Sequence, residues 1–185
     1  MSRNELVQAC IKNDKTARHQ LIEQYYGYLM GMCRRYAKNN SQAGTFFNQA
    51  FIEVFKNLPY YNDTENLDEW IKKAFLHSLI FQLKSNRTEY YITTTIRVED
   101  KKVNTDLFHQ TEDHDPNNLL LEDYLNALQK LPASFRAVYN LHVIDELSLK
   151  ETADILEINE ESARNSIERS RNEFLKNVNL KMQGY

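Results

Sequence analysis

The sequence predicts an all-α protein built as two small helical domains joined by a flexible acidic linker. Three observations predict it. Only 4 Gly and 3 Pro occur in 185 residues, so turn-rich sheet architectures are disfavoured. Apolar residues recur at three- and four-residue steps in two separate blocks, and that periodicity lapses between them. The expected boundaries are a helical domain over 1–88, a linker over 89–117 and a second helical domain over 118–185.

In the first block, Ser2 and Glu5 have the spacing of a capping box, which opens a short helix from about Arg3 to Asn13. Asp14 can cap the next helix. Its stripe of Leu21, Ile22, Tyr25, Leu29, Met32, Cys33 and Tyr36 carries it to about Ala37. A third helix starts near Ser41 and runs through Phe46, Phe47, Ala50, Phe51, Val54 and Phe55 until Leu58-Pro59 stops it. A fourth follows from Leu67 through Trp70, Ile71, Phe75, Leu79 and Leu83 to about Arg87. Four helices with facing stripes make one compact unit.

From Thr88 to Asn117 no helical period survives, and Thr105 to Pro116 is acidic with few apolar side chains. A tether of this composition predicts two domains whose relative position is loosely fixed. Beyond it, Leu119, Leu120, Tyr124, Leu125 and Leu128 restart the pattern, and Phe135, Val138, Tyr139 and Leu141 form a second stripe. Ser148 and Glu151 repeat the capping-box spacing ahead of Ala153, Ile155 and Leu156. Asn159 can cap a last helix carrying Ala163, Ile167, Ser170 and Phe174.

Charge is distributed unevenly: the net is +4 over 1–88, −4 over 89–117 and −3 over 118–185. Cys10 and Cys33 lie within helical stripes and have no ligand spacing, so buried, reduced thiols are expected. No stretch approaches the roughly 20 apolar residues that span a bilayer, and no leader pattern opens the chain, so a cytoplasmic protein without membrane insertion is expected. His19, His77, His109, His114 and His142 show no metal spacing. Neither a nucleophile–base pairing nor a phosphate-cradling Gly loop appears, so no enzyme activity, metal or cofactor is predicted.

The pattern that points to function is the end of the chain. A short helix, a tight turn and a longer helix, behind two packing helices, is the layout of a helix-turn-helix, whose second helix enters the DNA major groove. Ala153 supplies the small residue at the helix crossing, while Ile158 and Ile167 are placed to lock the pair. Off the apolar stripe lie Arg164, Asn165, Glu168, Arg169 and Arg171, and Arg and Asn are the usual readers of guanine and adenine edges.

At these residues the chain resembles a known family. Leu128-Gln-Lys-Leu-Pro-Ala-Ser-Phe-Arg-Ala-Val-Tyr139, Leu149-Lys-Glu-Thr-Ala-Asp-Ile-Leu156 and Ile158-Asn-Glu-Glu-Ser-Ala-Arg-Asn-Ser-Ile-Glu-Arg-Ser-Arg171 resemble, in that order, the C-terminal promoter-binding domain of extracytoplasmic-function (ECF) sigma factors. Phe51-Ile-Glu-Val-Phe-Lys-Asn-Leu58 is similar to that family's polymerase-clamp helix, and Leu67-Asp-Glu-Trp-Ile-Lys-Lys-Ala74 to the helix after it. The resemblance implies a protein that binds core RNA polymerase and promoter DNA, is held by an anti-sigma factor, and is monomeric when free. It implies upstream-element contacts by Arg164, Asn165, Glu168, Arg169 and Arg171. Downstream-element contacts fall to Trp70, Lys72, Lys73, His77, Lys84 and Arg87, and polymerase contacts to Phe47, Asn48, Phe51 and Phe55, with Phe47, Asn48 and Phe51 turned partly outward.

The chain departs from the family pattern at three places. Gly44-Thr45-Phe46-Phe47-Asn48-Gln49 stands where the clamp helix usually begins with acidic residues, Leu76-His77 where an Arg-Asn pair is common, and Glu157 where the turn usually has Gly. A helix-turn-helix regulator acting without polymerase, or a sigma-like module that only binds proteins, are the alternatives these departures leave open.

Overall fold

The computed structural model describes residues 2–85 and 121–182; among them the chain forms eight α-helices and no strand. The expected tether over 89–117, and Arg87 with it, lie outside the described residues. Helix α1 (Arg3–Ile11) opens on the anticipated capping box: the Glu5 N–H donates to the Ser2 hydroxyl and the Ser2 N–H to the Glu5 carboxylate. Asp14 accepts from the Ala17 N–H at the start of α2 (Lys15–Tyr36), 2.8 Å away. Asn39, two residues ahead of the expected Ser41, caps α3 (Asn40–Asn57) through the Gln42 N–H. A 3₁₀ turn at Leu58–Tyr60 contains Pro59, and α4 (Leu67–Ser85) follows.

The apolar stripes pack as their period requires. Leu21, Leu29, Met32 and Tyr36 of α2, Phe46, Ala50 and Val54 of α3, and Ile71, Phe75 and Leu79 of α4 are all buried. At the centre, the Phe47 ring lies 4.9 Å from Phe51 and 5.8 Å from Phe75, and Phe51 lies 5.5 Å from Phe75. Phe47 and Phe51 therefore do not turn outward as expected; they are 5% and 3% exposed. The reason is their i, i+4 spacing, which puts both rings on the face of α3 that meets α4. Burying each is worth about 1.5–3 kcal/mol, more than a surface contact would return.

Where α4 begins, the Tyr25 hydroxyl and the Arg3 guanidinium both donate to Asp68, tying α1, α2 and α4 together. The Tyr25 hydrogen bond and then Arg3 hold the Asp68 carboxyl below the usual carboxylate range. Cys10 and Cys33 are free and buried, and burial pushes the Cys33 thiol up to about 12, so it stays protonated and unreactive.

The second block comprises α5 (Leu121–Lys130), α6 (Ala133–Tyr139), a π turn (Asn140–Ile144), α7 (Leu149–Leu156) and α8 (Glu160–Met182). The helix expected over Phe135–Leu141 thus begins earlier and widens at Asn140. That side chain is fully buried and donates both to the Arg136 carbonyl and to the Arg35 carbonyl of α2. Ala127, Leu128, Leu131, Tyr139, Phe174 and Val178 form a local core, with Tyr139 and Phe174 stacked at 4.7 Å.

The two blocks do not stand loosely apart. Ala133, Ala137, Val138, Leu141, Leu156 and Ile167 belong to the same buried cluster as the stripes of α1–α4. Helix α2 packs on α5 and α6, and α4 on α7. The periodicity that builds each block is blind to this contact, because it reports which face of a helix is apolar and not which neighbour covers it.

Candidate nucleic-acid interface

The second capping box, Ser148 with Glu151, starts α7, and Asn159 Oδ1 accepts from the Ser162 N–H at 2.7 Å to start α8. Between them Glu157 adopts φ 57° and ψ 43°, the left-handed conformation a Gly would take most easily. A side chain there costs about 1 kcal/mol. The turn closes when the Ile158 N–H donates to the Ala153 carbonyl at 3.0 Å. Ala153 is buried at the helix crossing, as are Ala163, Ile167, Ser170 and Phe174 along α8. Ile158 does not lock the pair as expected: it is 36% exposed, and its part in the turn is the backbone bond to Ala153.

The opposite side of α8 is open. Arg164, Asn165, Glu168, Arg169 and Arg171 are all exposed. At about 100° per residue, Arg164, Glu168 and Arg171 share one face, while Asn165 and Arg169 share the next. Arg171 sits close enough to Tyr139 for its charge to oppose the rise that burial imposes on that phenol.

A second surface lies between α3 and α4. There Gln49, Ile52, Lys56, Tyr60, Trp70, Lys73, His77 and Phe81 line a groove of about 1030 Å³. Trp70 is half-buried, edge-on to Tyr61 at 5.5 Å, and Lys73 and His77 are exposed. Tyr60 and Phe81, which sequence reasoning missed, are 83% and 72% exposed. Both give the groove flat apolar faces beside its cations.

The remaining candidates fall elsewhere. Lys72 lines a separate hollow with Tyr25, Tyr28, Leu29 and Asp68. The Lys84 ammonium is 3.3 Å from Glu157 in the helix-turn-helix turn. On α3, Asn48 is exposed, Phe55 is half-buried under the Arg18 guanidinium, and Phe47 and Phe51 are core. Among the described residues no group of three or more His, Cys, Asp or Glu side chains is arranged to hold a metal, and no helix is long and apolar enough to cross a membrane.

Residues 121–174 match the family described as Sigma-70, region 4. The chain is 23% identical over 177 residues to the ECF RNA polymerase sigma factor SigW of Bacillus subtilis (strain 168), covering 90% of this chain and 91% of that one. Its fold is shared with two solved structures. One is the sigma factor RpoE in complex with the anti-sigma factor NepR from Bartonella quintana (TM-score 0.54, 15% identity, 87% of this chain and 96% of that chain). The other is CnrH in complex with the cytosolic domain of CnrY (TM-score 0.50, 16% identity, 95% and 96%).

Proposed function

We infer that this chain is an extracytoplasmic-function sigma factor, which binds core RNA polymerase in the cytoplasm and directs promoter-specific transcription initiation. One observation carries the reading. The segment that matches sigma region 4 folds as a helix-turn-helix whose second helix exposes Arg164, Asn165, Glu168, Arg169 and Arg171 together. The protein acts by binding and carries no catalytic chemistry of its own. Residues 1–88 serve as the polymerase- and downstream-element domain, 89–117 as the linker and 118–185 as the upstream-element domain.

Charge explains why polymerase is needed. Glu157, Glu160 and Glu161 crowd the entry to α8, so this helix meets DNA phosphates with carboxylates as well as arginines. Affinity for naked DNA scales with phosphates neutralised by Lys and Arg, and here that sum is small. A larger complex must supply the rest. In the groove, Tyr60 and Phe81 offer stacking faces for unpaired bases, with Trp70 at the wall and Lys73 and His77 beside them; base–aromatic stacking is worth about 1–3 kcal/mol per base. On α3, Asn48 and the neighbouring Ile52 replace the buried rings as polymerase contacts, with Phe55 at their edge. The relatives solved with NepR and with CnrY support an anti-sigma partner here as well.

Titrating fluorescently labelled chain with purified core polymerase is expected to give a saturable one-to-one complex, with light scattering showing a monomer in its absence. A stable dimer that binds promoter DNA without polymerase would point to an independent regulator instead.

A further inference from the structure

The reading helix presents a carboxylate close to its outermost line. Asn159 caps α8 through the Ser162 N–H, so Glu160 and Glu161 belong to its first turn. Ala163, Ile167, Ser170 and Phe174 mark the side that α8 buries. At about 100° per residue, Glu161 points about 150° away from the middle of that side, whereas Glu160 points only about 50° away. Asn165 lies one turn beyond Glu161, about 40° to one side of it, and Arg164 about 60° to the other. The three exposed side chains bracket one patch near the N-terminal end of the helix, the end that a helix-turn-helix lays against base edges.

The fold itself makes little use of this group. Among the described residues the Glu161 side chain has no hydrogen bond or ion pair, and neither have Arg164 and Asn165. Glu157, in the preceding turn, is by contrast met by the Lys84 ammonium at 3.3 Å. The cap is made by Asn159 and the packing by the buried stripe. Glu161 adds to the helix only the weak attraction between an acidic side chain and the positive end of the helix dipole.

In a major groove the same position is costly for an anion. Phosphates line both walls, and a carboxylate taken from water between them is stabilised only by a hydrogen-bond donor. The base edges offer two, the amino groups at cytosine N4 and adenine N6; guanine O6 and N7 and thymine O4 are acceptors and repel another acceptor. Adenine sets its N7 acceptor beside the amino group, which suits the amide of Asn165, a donor and an acceptor together. Cytosine has only a C–H beside its amino group, so nothing opposes a carboxylate there. A glutamate so placed selects twice, by accepting from cytosine and by repelling the alternatives.

We propose that Glu161 is a specificity-determining residue of α8 and selects cytosine in the upstream element, beside the base pair that Arg164 reads; the inference rests on the sigma reading of the chain. Holoenzyme assembled from core polymerase and the full chain is mixed with DNA duplexes randomised across the upstream element, and the bound sequences are counted. The wild type is expected to enrich cytosine about tenfold at one position. Glu161→Gln exchanges a pure acceptor for an amide and is expected to move the preference at that position to adenine. Glu161→Ala is expected to abolish it and to raise the binding of disfavoured sequences. Glu160→Gln removes the same charge from the flank of the helix and is expected to keep cytosine. Both positions are exposed, so thermal melts of all variants are expected to match the wild type. The same enriched base for wild type, Glu161→Gln and Glu161→Ala would overturn the assignment, as would a Glu160→Gln effect equal to that of Glu161→Gln. If the chain fails to join core polymerase, the sigma reading falls, and the selection repeated with the chain alone at low salt decides the role of Glu161 by the same switch.

Discussion

Replacing Phe47 by Ala is expected to destabilise the N-terminal helices by about 3–5 kcal/mol, the usual cost of removing a buried aromatic ring. The ring is 5% exposed and touches Tyr26, Phe51 and Phe75, with the Tyr26 ring edge-on at 5.2 Å. A domain of this size has only about 5–15 kcal/mol of stability, so the loss is a large share of the total. The melting temperature should fall by roughly 10 °C or more. On the same helix, Asn48→Ala removes an exposed side chain and is expected to leave the melt unchanged while weakening polymerase binding. The measurement is a pair of thermal melts beside polymerase titrations. An unchanged melt for Phe47→Ala, with polymerase binding lost, would return that ring to the surface role the family resemblance implies.

Arg164→Ala is expected to lower discrimination at one or two base pairs of the upstream element by about 1–3 kcal/mol, measured as holoenzyme binding across promoter variants. Arg164 and Asn165 lie in the second turn of α8, the end of a reading helix that meets base edges. Arg169 and Arg171 lie farther along the same helix, away from its N-terminal end. Arg171→Ala is therefore expected to weaken all sequences alike and to reduce the dependence of affinity on salt. Equal, sequence-independent losses for both variants would remove the base-reading role. No loss for either would remove α8 from DNA altogether.

Much of the fold is legible in the sequence because it is written in local signals. Both capping boxes, at Ser2 with Glu5 and at Ser148 with Glu151, need only a three-residue spacing to be read. Asp14 and Asn159 are likewise fixed by their immediate neighbours, whereas the left-handed turn at Glu157 is legible only through the Gly that the resembling family usually has there. The outward orientation expected for Phe47 and Phe51 followed family resemblance over the spacing of the rings themselves. Their i, i+4 placement on the stripe of Phe46, Ala50 and Val54 already marks them as core.

The groove was partly legible. Trp70, Lys73, His77 and Phe81 follow one another at steps of three, four and four residues, a second stripe on α4 beside the buried one of Phe75, Leu79 and Leu83. Reading that stripe as a whole would have brought in Phe81. Tyr60 gives no such signal, since its position depends on the turn at Pro59. The contact between the two blocks was not legible at all: the Arg35 guanidinium donates to Asp145 from 110 positions away, and nothing local to either marks the other as its partner. Charged residues at the end of a helix read as solvated until a second element is shown to cover them.

The central claim is that this chain confers promoter choice on core polymerase, and run-off transcription tests it most directly. Purified core enzyme, the full chain and fragmented genomic DNA of the source organism are combined, and transcript 5′ ends are mapped with and without the chain. The account predicts a small set of discrete start sites that depend on the chain, share an upstream element, and weaken selectively when Arg164 is replaced by Ala. A chain that binds core polymerase yet yields no start site beyond those of core enzyme alone would contradict it.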